Sequence, residues 1–298
     1  MRASDKSRDH SVARSSPAHT GDHSFVPLEA DLRETASGAG ISDEKYEQVM
    51  IPPAPLPTRK DEAWRYADIA AVTRVWDDLA APEEATVPAG ESAAMVIDTL
   101  PPSGIVRLDV AIGDNASFAL HALVANADYG RVEIRATLGR AAHFELGGAI
   151  LGNGDQTLEI VTETIHAAPD GTSNQVVRQV LAGKATGTYM GKVAVARDAQ
   201  KTDAAQSVKA MLLDRSATAN AKPELEIYAD DVKCAHGATV GELDKAALFY
   251  MASRGLPPEV AQRLMLQAFI ADAFVGMGDD AAREAIEAKA LGILEGLA

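Results

Sequence analysis

The sequence predicts a mainly β protein, with a strand-rich body at about residues 93–233 between two helical regions. Polar and apolar residues alternate within this body, as they do in half-buried strands, over 131–135, 157–165 and 188–195. Turn-forming Gly, Asn and Asp residues recur between these stretches, as at 152–155. After about residue 240, the apolar residues follow a helical spacing to the C-terminus.

The region before the body is expected to contain a tail and a short helical arm. Residues 1–23 are Ser, Arg, Asp and His with few apolar residues, so we expect a disordered tail. Residues 24–92 should contain short helices and a connector, and the proline-rich run 51–57 within them should be extended. The large side chains of Trp64 and Tyr66 are expected to pin this arm onto the body.

The spacing of the strands indicates that the body is made of strands, but it does not determine how they are arranged. Short strands separated by turns are typical of an all-β sandwich, a barrel or a solenoid. The many small residues, and the scarcity of tight hairpin dipeptides, favour a solenoid with stacked coils. No fixed-length repeat is visible, so periodicity by itself leaves the three architectures open.

Residues 234–298 are expected to be helical. Thr239 and Glu242 have the spacing of a capping box, which predicts a first helix from about residue 240. This helix should end at Gly255, because glycine suits the left-handed position after a helix. Two further helices are expected to begin near the prolines at 257–258 and the aspartates at 279–280.

Composition excludes several classes of function. The net charge of −15 argues against nucleic acid or an anionic membrane as the main partner, and no apolar run approaches a membrane span of about 20 residues. The single cysteine is consistent with a reducing cytosol, so we expect a cytoplasmic protein. No phosphate-binding loop motif is present, so the chain should not hydrolyse ATP. The isolated histidines His121, His143 and His166 are expected to be surface or hydrogen-bonded core residues.

The chemistry of the chain is concentrated at Cys234 and His236. The expected helix just after them would favour a thiolate through its positive N-terminal end. The pair could be a buried small cysteine beside a turn histidine. It could also be two ligands that need a partner surface, because a tetrahedral metal site takes about four. A stand-alone enzyme with Cys234 as nucleophile and His236 as base is the third interpretation, although no third orienting group is evident.

Two separate motifs resemble a known family. Residues 231–241, DVKCAHGATVG, and 248–255, LFYMASRG, resemble the signature of the SufB/SufD family of iron–sulfur cluster assembly proteins. Residues 56–66, LPTRKDEAWRY, resemble the N-terminal signature of the SufD branch of that family. The resemblance spans roughly residues 50–275. It implies a right-handed parallel β-helix for the body, and therefore selects the solenoid.

The resemblance also implies a function. It implies a non-catalytic scaffold subunit that pairs with a SufB homologue, or with a second copy of itself, and docks the SufC ATPase. The helical tail would carry the ATPase contact, with four residues near or beneath the contact surface: Leu248, Phe249, Tyr250 and Met251. The SufB paralogue is an alternative identity. That subunit is expected to carry additional cysteines in its core, and this chain has none there.

The same resemblance implies a metal-binding role for the Cys-x-His motif. Cys234 and His236 match the Cys-x-His of the family at the interface of two β-helix subunits. Iron or an iron–sulfur cluster would bind there transiently, and no cofactor would be bound permanently. The histidine is the better candidate for a ligand, with the cysteine secondary.

Overall fold

The computed structural model describes residues 26–27 and 55–297. In chain order, the strands are β1 (Val26–Pro27), β2 (Glu83–Val87), β3 (Ser92–Ile97), β4 (Ser103–Ile112), β5 (Ser117–Ala125), β6 (Tyr129–Leu138), β7 (His143–Gly152), β8 (Thr157–His166), β9 (Thr172–Leu181), β10 (Thr186–Val195), β11 (Asp203–Leu212), β12 (Thr218–Ile227) and β13 (Lys233–Gly241). The helices are α1 (Ile69–Val75), α2 (Lys245–Ser253), α3 (Pro258–Ala271) and α4 (Asp280–Leu294), with a 3-10 turn at Glu62–Trp64.

The strands form two parallel sheets. Sheet A contains the odd-numbered strands from β1 to β13, and sheet B contains the even-numbered strands from β2 to β12. Consecutive strands belong to opposite sheets, and each strand pairs in parallel with the strand two further along. The chain therefore winds as a parallel β-solenoid of about five turns. The predicted β-solenoid with helices at both sides is confirmed.

The coils differ in length and lengthen steadily along sheet B, which explains why the sequence displays no fixed repeat. The first residues of successive strands in sheet B pair with one another: Ser103 with Tyr129, Tyr129 with Thr157, Thr157 with Thr186, and Thr186 with Thr218. Each of these steps is longer in sequence than the one before. The extra residues are accommodated in the corners between strands, so the pairing within the sheets stays continuous.

One corner of the solenoid repeats a left-handed residue in five successive coils. These residues are Gly90, Asn115, Ala141, Asp170 and Lys201, all with positive φ. The N–H of each one donates to a main-chain carbonyl of the next coil, so the corners form a hydrogen-bonded ladder parallel to the sheets. This ladder gives partners to corner N–H groups that lie outside the strands.

The strands extend beyond the expected range of 93–233 at both ends. β2 begins at Glu83, and β13 continues to Gly241 because it pairs with β11 along its whole length. Thr239 therefore lies inside a strand, and its interpretation as a helix cap is wrong. Asp244 is the cap of α2 instead, since its side chain accepts hydrogen bonds from the N–H groups of residues 246 and 247.

Other helix boundaries agree with the sequence. Gly255 has a φ of +89°, and α2 ends in a Schellman motif in which the N–H of Leu256 reaches the carbonyl of Met251. α3 begins at Pro258, and Asp279 caps α4 by accepting two backbone hydrogen bonds. The expected tail at residues 1–23 lies outside the described residues.

Helices α3 and α4 cover the outer face of sheet A. The helical region and the sheet share one apolar cluster, whose buried members are Leu123, Ala125, Ala149, Leu151, Val180, Leu266, Ile270, Ala273, Phe274, Met277, Ile286, Ala290 and Leu294. α2 differs, since none of its residues is buried. The apolar stripes of the last two helices are thus explained by packing on the β body, and the apolar residues of α2 are not.

The N-terminal arm crosses the outer face of sheet B. The Arg131 guanidinium stacks on the Trp64 ring at 3.9 Å and donates to the Ala63 carbonyl at 2.8 Å. Trp64 also makes an edge-to-face contact with Trp76, with ring centroids 5.5 Å apart. Trp64 therefore pins the arm as expected. Tyr66 is 36% exposed.

Candidate metal-binding site

The Cys-x-His pair lies in the last strand of sheet A. β13 pairs with β11, and within the described part of the chain no strand pairs with its other edge. Cys234 lies opposite Ala204 and His236 lies opposite Gln206. Because β strands alternate their side chains, Cys234 and His236 point to the same side of the sheet as each other. Ala204 and Gln206 are almost fully buried, so that side is the solenoid interior.

We call the end of the solenoid formed by β12 and β13 the open end. His236 is exposed there and Cys234 is half-buried. The open end also exposes several large apolar side chains, with Tyr228 exposed by 61% and Val240 by 51%. The thiol and the imidazole are therefore accessible from the axis of the solenoid, on a surface that is partly apolar.

Cys234 packs against a small apolar cluster at this end. The cluster includes Val193, Val195 and Ala204, with Leu225 at its margin. Burial raises the pKa of the Cys234 thiol, although a hydrogen bond with the Ala204 backbone opposes the shift, and the negative charge of Asp203 adds to it. The expectation of a helix N-terminus that favours the thiolate is wrong, because the nearest helix begins at Lys245, beyond the end of the strand.

The residues expected to contact a partner lie on α2. Phe249 is 77% exposed and Tyr250 is 59% exposed, whereas Leu248 and Met251 are half-buried. The Arg254 guanidinium lies 5.6 Å from the centre of the Tyr250 ring. α2 packs against α3 and follows β13 after the loop 242–244, so it is close in sequence to Cys234 and His236.

The isolated histidines occupy three different environments. His166 is buried and its Nε2 lies 2.9 Å from the Ser173 hydroxyl, whereas His143 is partly exposed and its Nδ1 lies 2.8 Å from the Thr172 hydroxyl. His121 is buried under the turn after α3, and its Nε2 has no hydrogen-bond partner among the described residues. The expectation of surface or hydrogen-bonded core residues holds for His143 and His166 and is wrong for His121.

Two further observations concern residues 55–297. Within this part of the chain, no three His, Cys, Asp or Glu side chains come together in a group that could hold a metal ion. Among the same residues, no helix has both the length and the apolar character required to span a membrane.

The fold and the site together define a class of protein: a two-sheeted parallel β-solenoid that presents a thiol and an imidazole at one end. The family model described as "SUF system FeS cluster assembly, SufBD core domain" matches residues 103–269. This match covers most of the strands and reaches into α3. The chain belongs to the SufBD family.

Individual relatives point to the SufD branch of that family. The chain is 37% identical to "Iron-sulfur cluster assembly protein SufD" of Escherichia coli K12 over 117 residues, which are 39% of this chain and 28% of that protein. It is 40% identical to "Protein ABCI7, chloroplastic" of Arabidopsis thaliana over 116 residues, 39% of this chain and 24% of the relative. SufD of Bacillus subtilis is 33% identical over 122 residues, 41% of this chain and 28% of that protein. Each match thus covers less than a third of the relative.

Proposed function

We propose that this protein is a scaffold subunit of the SUF iron–sulfur cluster assembly system, with iron or a nascent cluster as its cargo. The observation that carries the proposal is the position of Cys234 and His236, side by side on the inward face of an edge strand. Membership of the SufBD family supplies the chemistry, since the family is described by its part in cluster assembly. Imidazole and thiolate are both established ligands of iron and of iron–sulfur clusters.

His236 is the principal ligand in this proposal. A thiol must lose its proton before it binds a metal, and burial raises the pKa of Cys234. An imidazole offers its lone pair in the neutral form and needs no such step. Two side chains are also fewer than the roughly four ligands of a typical cluster, so a partner subunit supplies the rest.

The open end is the surface for that partner. The outer edges of β12 and β13 present main-chain N–H and C=O groups that a further strand could pair with. Tyr228 and Val240 add exposed apolar surface beside them. A SufB homologue that docks here, or a second copy of this chain, would bring its own ligands next to His236.

The SufC ATPase docks on α2 in this proposal. Phe249 and Tyr250 are large, exposed and adjacent, and such apolar anchors usually dominate binding energy at an interface. α2 is also the helix that follows β13, so a displacement of α2 reaches the strand that carries Cys234 and His236. ATP use in the partner would thereby shift the site between two arrangements.

The scaffold itself is proposed to be non-catalytic. A stand-alone enzyme with Cys234 as nucleophile would need a lowered thiol pKa, as activated cysteines have. Burial raises this pKa instead. The direction of the shift therefore argues against Cys234 as an activated nucleophile.

The metal-binding role is tested by cluster assembly in cells that lack the natural subunit. We expect H236A to lose most cluster-dependent enzyme activity and C234S to lose little. H143A is the matched control, since His143 is also partly exposed but lies on β7, away from the open end. Circular dichroism of each purified variant verifies folding. Normal assembly with a folded H236A would refute the ligand role.

The docking role is tested separately with the purified ATPase. We expect F249A/Y250A to weaken binding by roughly tenfold or more, as the loss of interface anchors usually does. V275A is the control, because Val275 is 71% exposed on the turn after α3. Equal affinities for F249A/Y250A and the unmodified chain would exclude α2 as the docking site. Deletion of the whole helical tail is a poorer test, because α3 and α4 cover the apolar outer face of sheet A.

A further inference from the structure

The interior of the solenoid changes from apolar to polar toward the open end. In the earlier coils, Phe118 and Phe144 stack on each other with ring centroids 6.3 Å apart. In the later coils, Tyr189 reaches across from sheet B to the glutamines of sheet A. Its hydroxyl donates to Gln175 Oε1 at 3.0 Å and accepts from Gln206 Nε2 at 3.3 Å. These three residues are buried, with exposed fractions of 3% or less.

The hydrogen bonds of this network fix the orientation of the Gln206 amide. The Tyr189 hydroxyl uses its single proton on Gln175 Oε1 and accepts from Gln206 Nε2. The amide nitrogen of Gln206 therefore faces Tyr189, and its oxygen faces away. Gly191 makes this contact possible, because a Cβ at that position would overlap Tyr189 Oη and crowd Gln206 Nε2.

The network ends at Gln206 Oε1, an acceptor without a hydrogen-bond donor among the described residues. Gln206 Oε1 is buried and has no hydrogen-bond partner among residues 55–297. Buried acceptors without a partner are rare and call for an explanation. Along sheet A, the inward-facing neighbours of Gln206 are Gln175 on one side and His236 on the other. Gln175 Nε2 already donates to Thr164 Oγ1 at 3.1 Å.

We infer that Gln206 is a positioning residue for His236. Adjacent strands lie about 4.8 Å apart, so His236 and Gln206 are neighbours on the inward face, and in the inferred contact an imidazole N–H donates to Gln206 Oε1. This hydrogen bond selects one tautomer of the ring, and the other nitrogen then presents its lone pair toward the open end. The inference rests on the proposed role of His236 as a ligand, and it identifies Gln206 as the residue that orients the His236 ring.

The tautomer of His236 can be measured without iron. Long-range proton–nitrogen NMR of the full chain, labelled with ¹⁵N-histidine, distinguishes the two tautomers at about pH 8, where imidazole is neutral. The signals of His236 are those lost in H236A. We expect one tautomer to dominate in the unmodified chain. Q206M, which removes the acceptor, should shift the tautomer ratio by roughly fivefold, the effect of one ordinary hydrogen bond.

Two further variants separate positioning from packing. Q206E retains an acceptor and should retain the dominant tautomer. Q179M is the matched control. Gln179 is also a fully buried glutamine of sheet A, but it pairs with Ala210 and is therefore not a neighbour of Gln206 or His236. We expect no change in the tautomer ratio for Q179M. A shift in Q179M as large as that in Q206M would overturn the inference.

The unmodified chain alone can also refute the inference. A free-imidazole mixture of tautomers for His236 in the folded, unmodified protein would overturn it even if Q206M failed to fold. This outcome is distinct from failure of the proposed function. Normal cluster assembly by H236A, together with a fixed tautomer, would refute the ligand role and leave the positioning contact in place.

Discussion

Arg178 on β9 binds the carboxylate of Asp272, the residue just after α3, through both Nε at 2.8 Å and Nη2 at 2.6 Å. The Arg178 side chain is only 4% exposed, and its Nη1 also donates to the carbonyls of Val177 and Ser207. The contact joins the helical region to two neighbouring strands of sheet A. It therefore helps to position α3 on the β body, and with it α2, which packs against α3.

We expect D272A to destabilise the protein by about 2 kcal/mol. The loss of a partner of a buried charge typically costs about 3–5 kcal/mol, and the partial exposure of Asp272 and the carbonyls that remain around Arg178 reduce this figure. The free energy of unfolding can be measured by urea denaturation followed by circular dichroism. E295A is the control, because the Arg263–Glu295 pair is about half exposed and such pairs contribute about 0–1 kcal/mol. A smaller effect for D272A than for E295A would contradict the prediction.

A second buried arginine holds the N-terminal arm. The side chains of Arg131 and Glu159 are each 1% exposed and lie 2.8 Å apart. R131M should cost about 3 kcal/mol or more, because it leaves the Glu159 charge buried without its cation. The double variant R131M/E159L should recover only part of this loss, since an apolar pair of similar volume can replace a buried ion pair, but the buried Tyr129 hydroxyl loses its acceptor on Glu159.

Tryptophan fluorescence can follow this change at the arm itself. The only two tryptophans of the chain are Trp64 and Trp76, and both belong to the arm. R131M should shift their emission to the red in the folded protein, because the arm loses its guanidinium contact. An R131M protein that keeps both its emission and its stability would show that the arm is held elsewhere.

The sequence predicts the fold better than it predicts the contacts across the fold. Alternation identified strands such as 157–165, because one side of each strand faces the interior. The alternation over 131–135 places Arg131 on the polar, outer side of its strand. Arg131 is buried because Ala63 and Trp64, far away in sequence, cover it. The alternating pattern carries no information about a segment that folds over the outer face.

The site illustrates the same limit. Cys234 and His236 are recognisable from the sequence because they are two residues apart and belong to a motif. Gln206 could not be found in this way, because its proximity to His236 depends on coil length, and the coils differ in length. Similarly, Thr239 has good capping chemistry, but continuous pairing with β11 keeps it in a strand. Local propensity is overridden here by the tertiary pairing.

The protein should lose stability as the pH falls from about 6.5 to 4. Burial lowers the pKa of His121 to about 4, against a small opposite effect of Glu145, and burial lowers the pKa of His166 to about 4. Both histidines ordinarily titrate near 6.5, so between these values the unfolded chain binds protons that the folded chain does not. Stability is therefore full above about pH 6.5, and each histidine removes up to about 1.4 kcal/mol per pH unit below it.

Urea denaturation at several pH values measures this proton uptake. H121Q should reduce the pH dependence by the contribution of one histidine, because burial lowers the pKa of His121. Carboxylates also contribute to the pH dependence of the free energy of unfolding at low pH. The difference between a variant and the unmodified chain is therefore the informative quantity. An identical slope for H121Q and the unmodified chain would mean that His121 does not stay neutral in the folded state.

The corner ladder offers a stabilising substitution at Ala141. This exposed alanine has a φ of +50°, in the left-handed region that a Cβ disfavours and glycine adopts freely. A141G should raise the free energy of unfolding by roughly 0.5 kcal/mol, since relief of strain exceeds the added entropy of the unfolded chain. A285G is the matched control, at an exposed interior position of α4, and should lower stability by about 1 kcal/mol. Thermal unfolding distinguishes the two signs, and destabilisation by both substitutions would mean that the corner carries no strain.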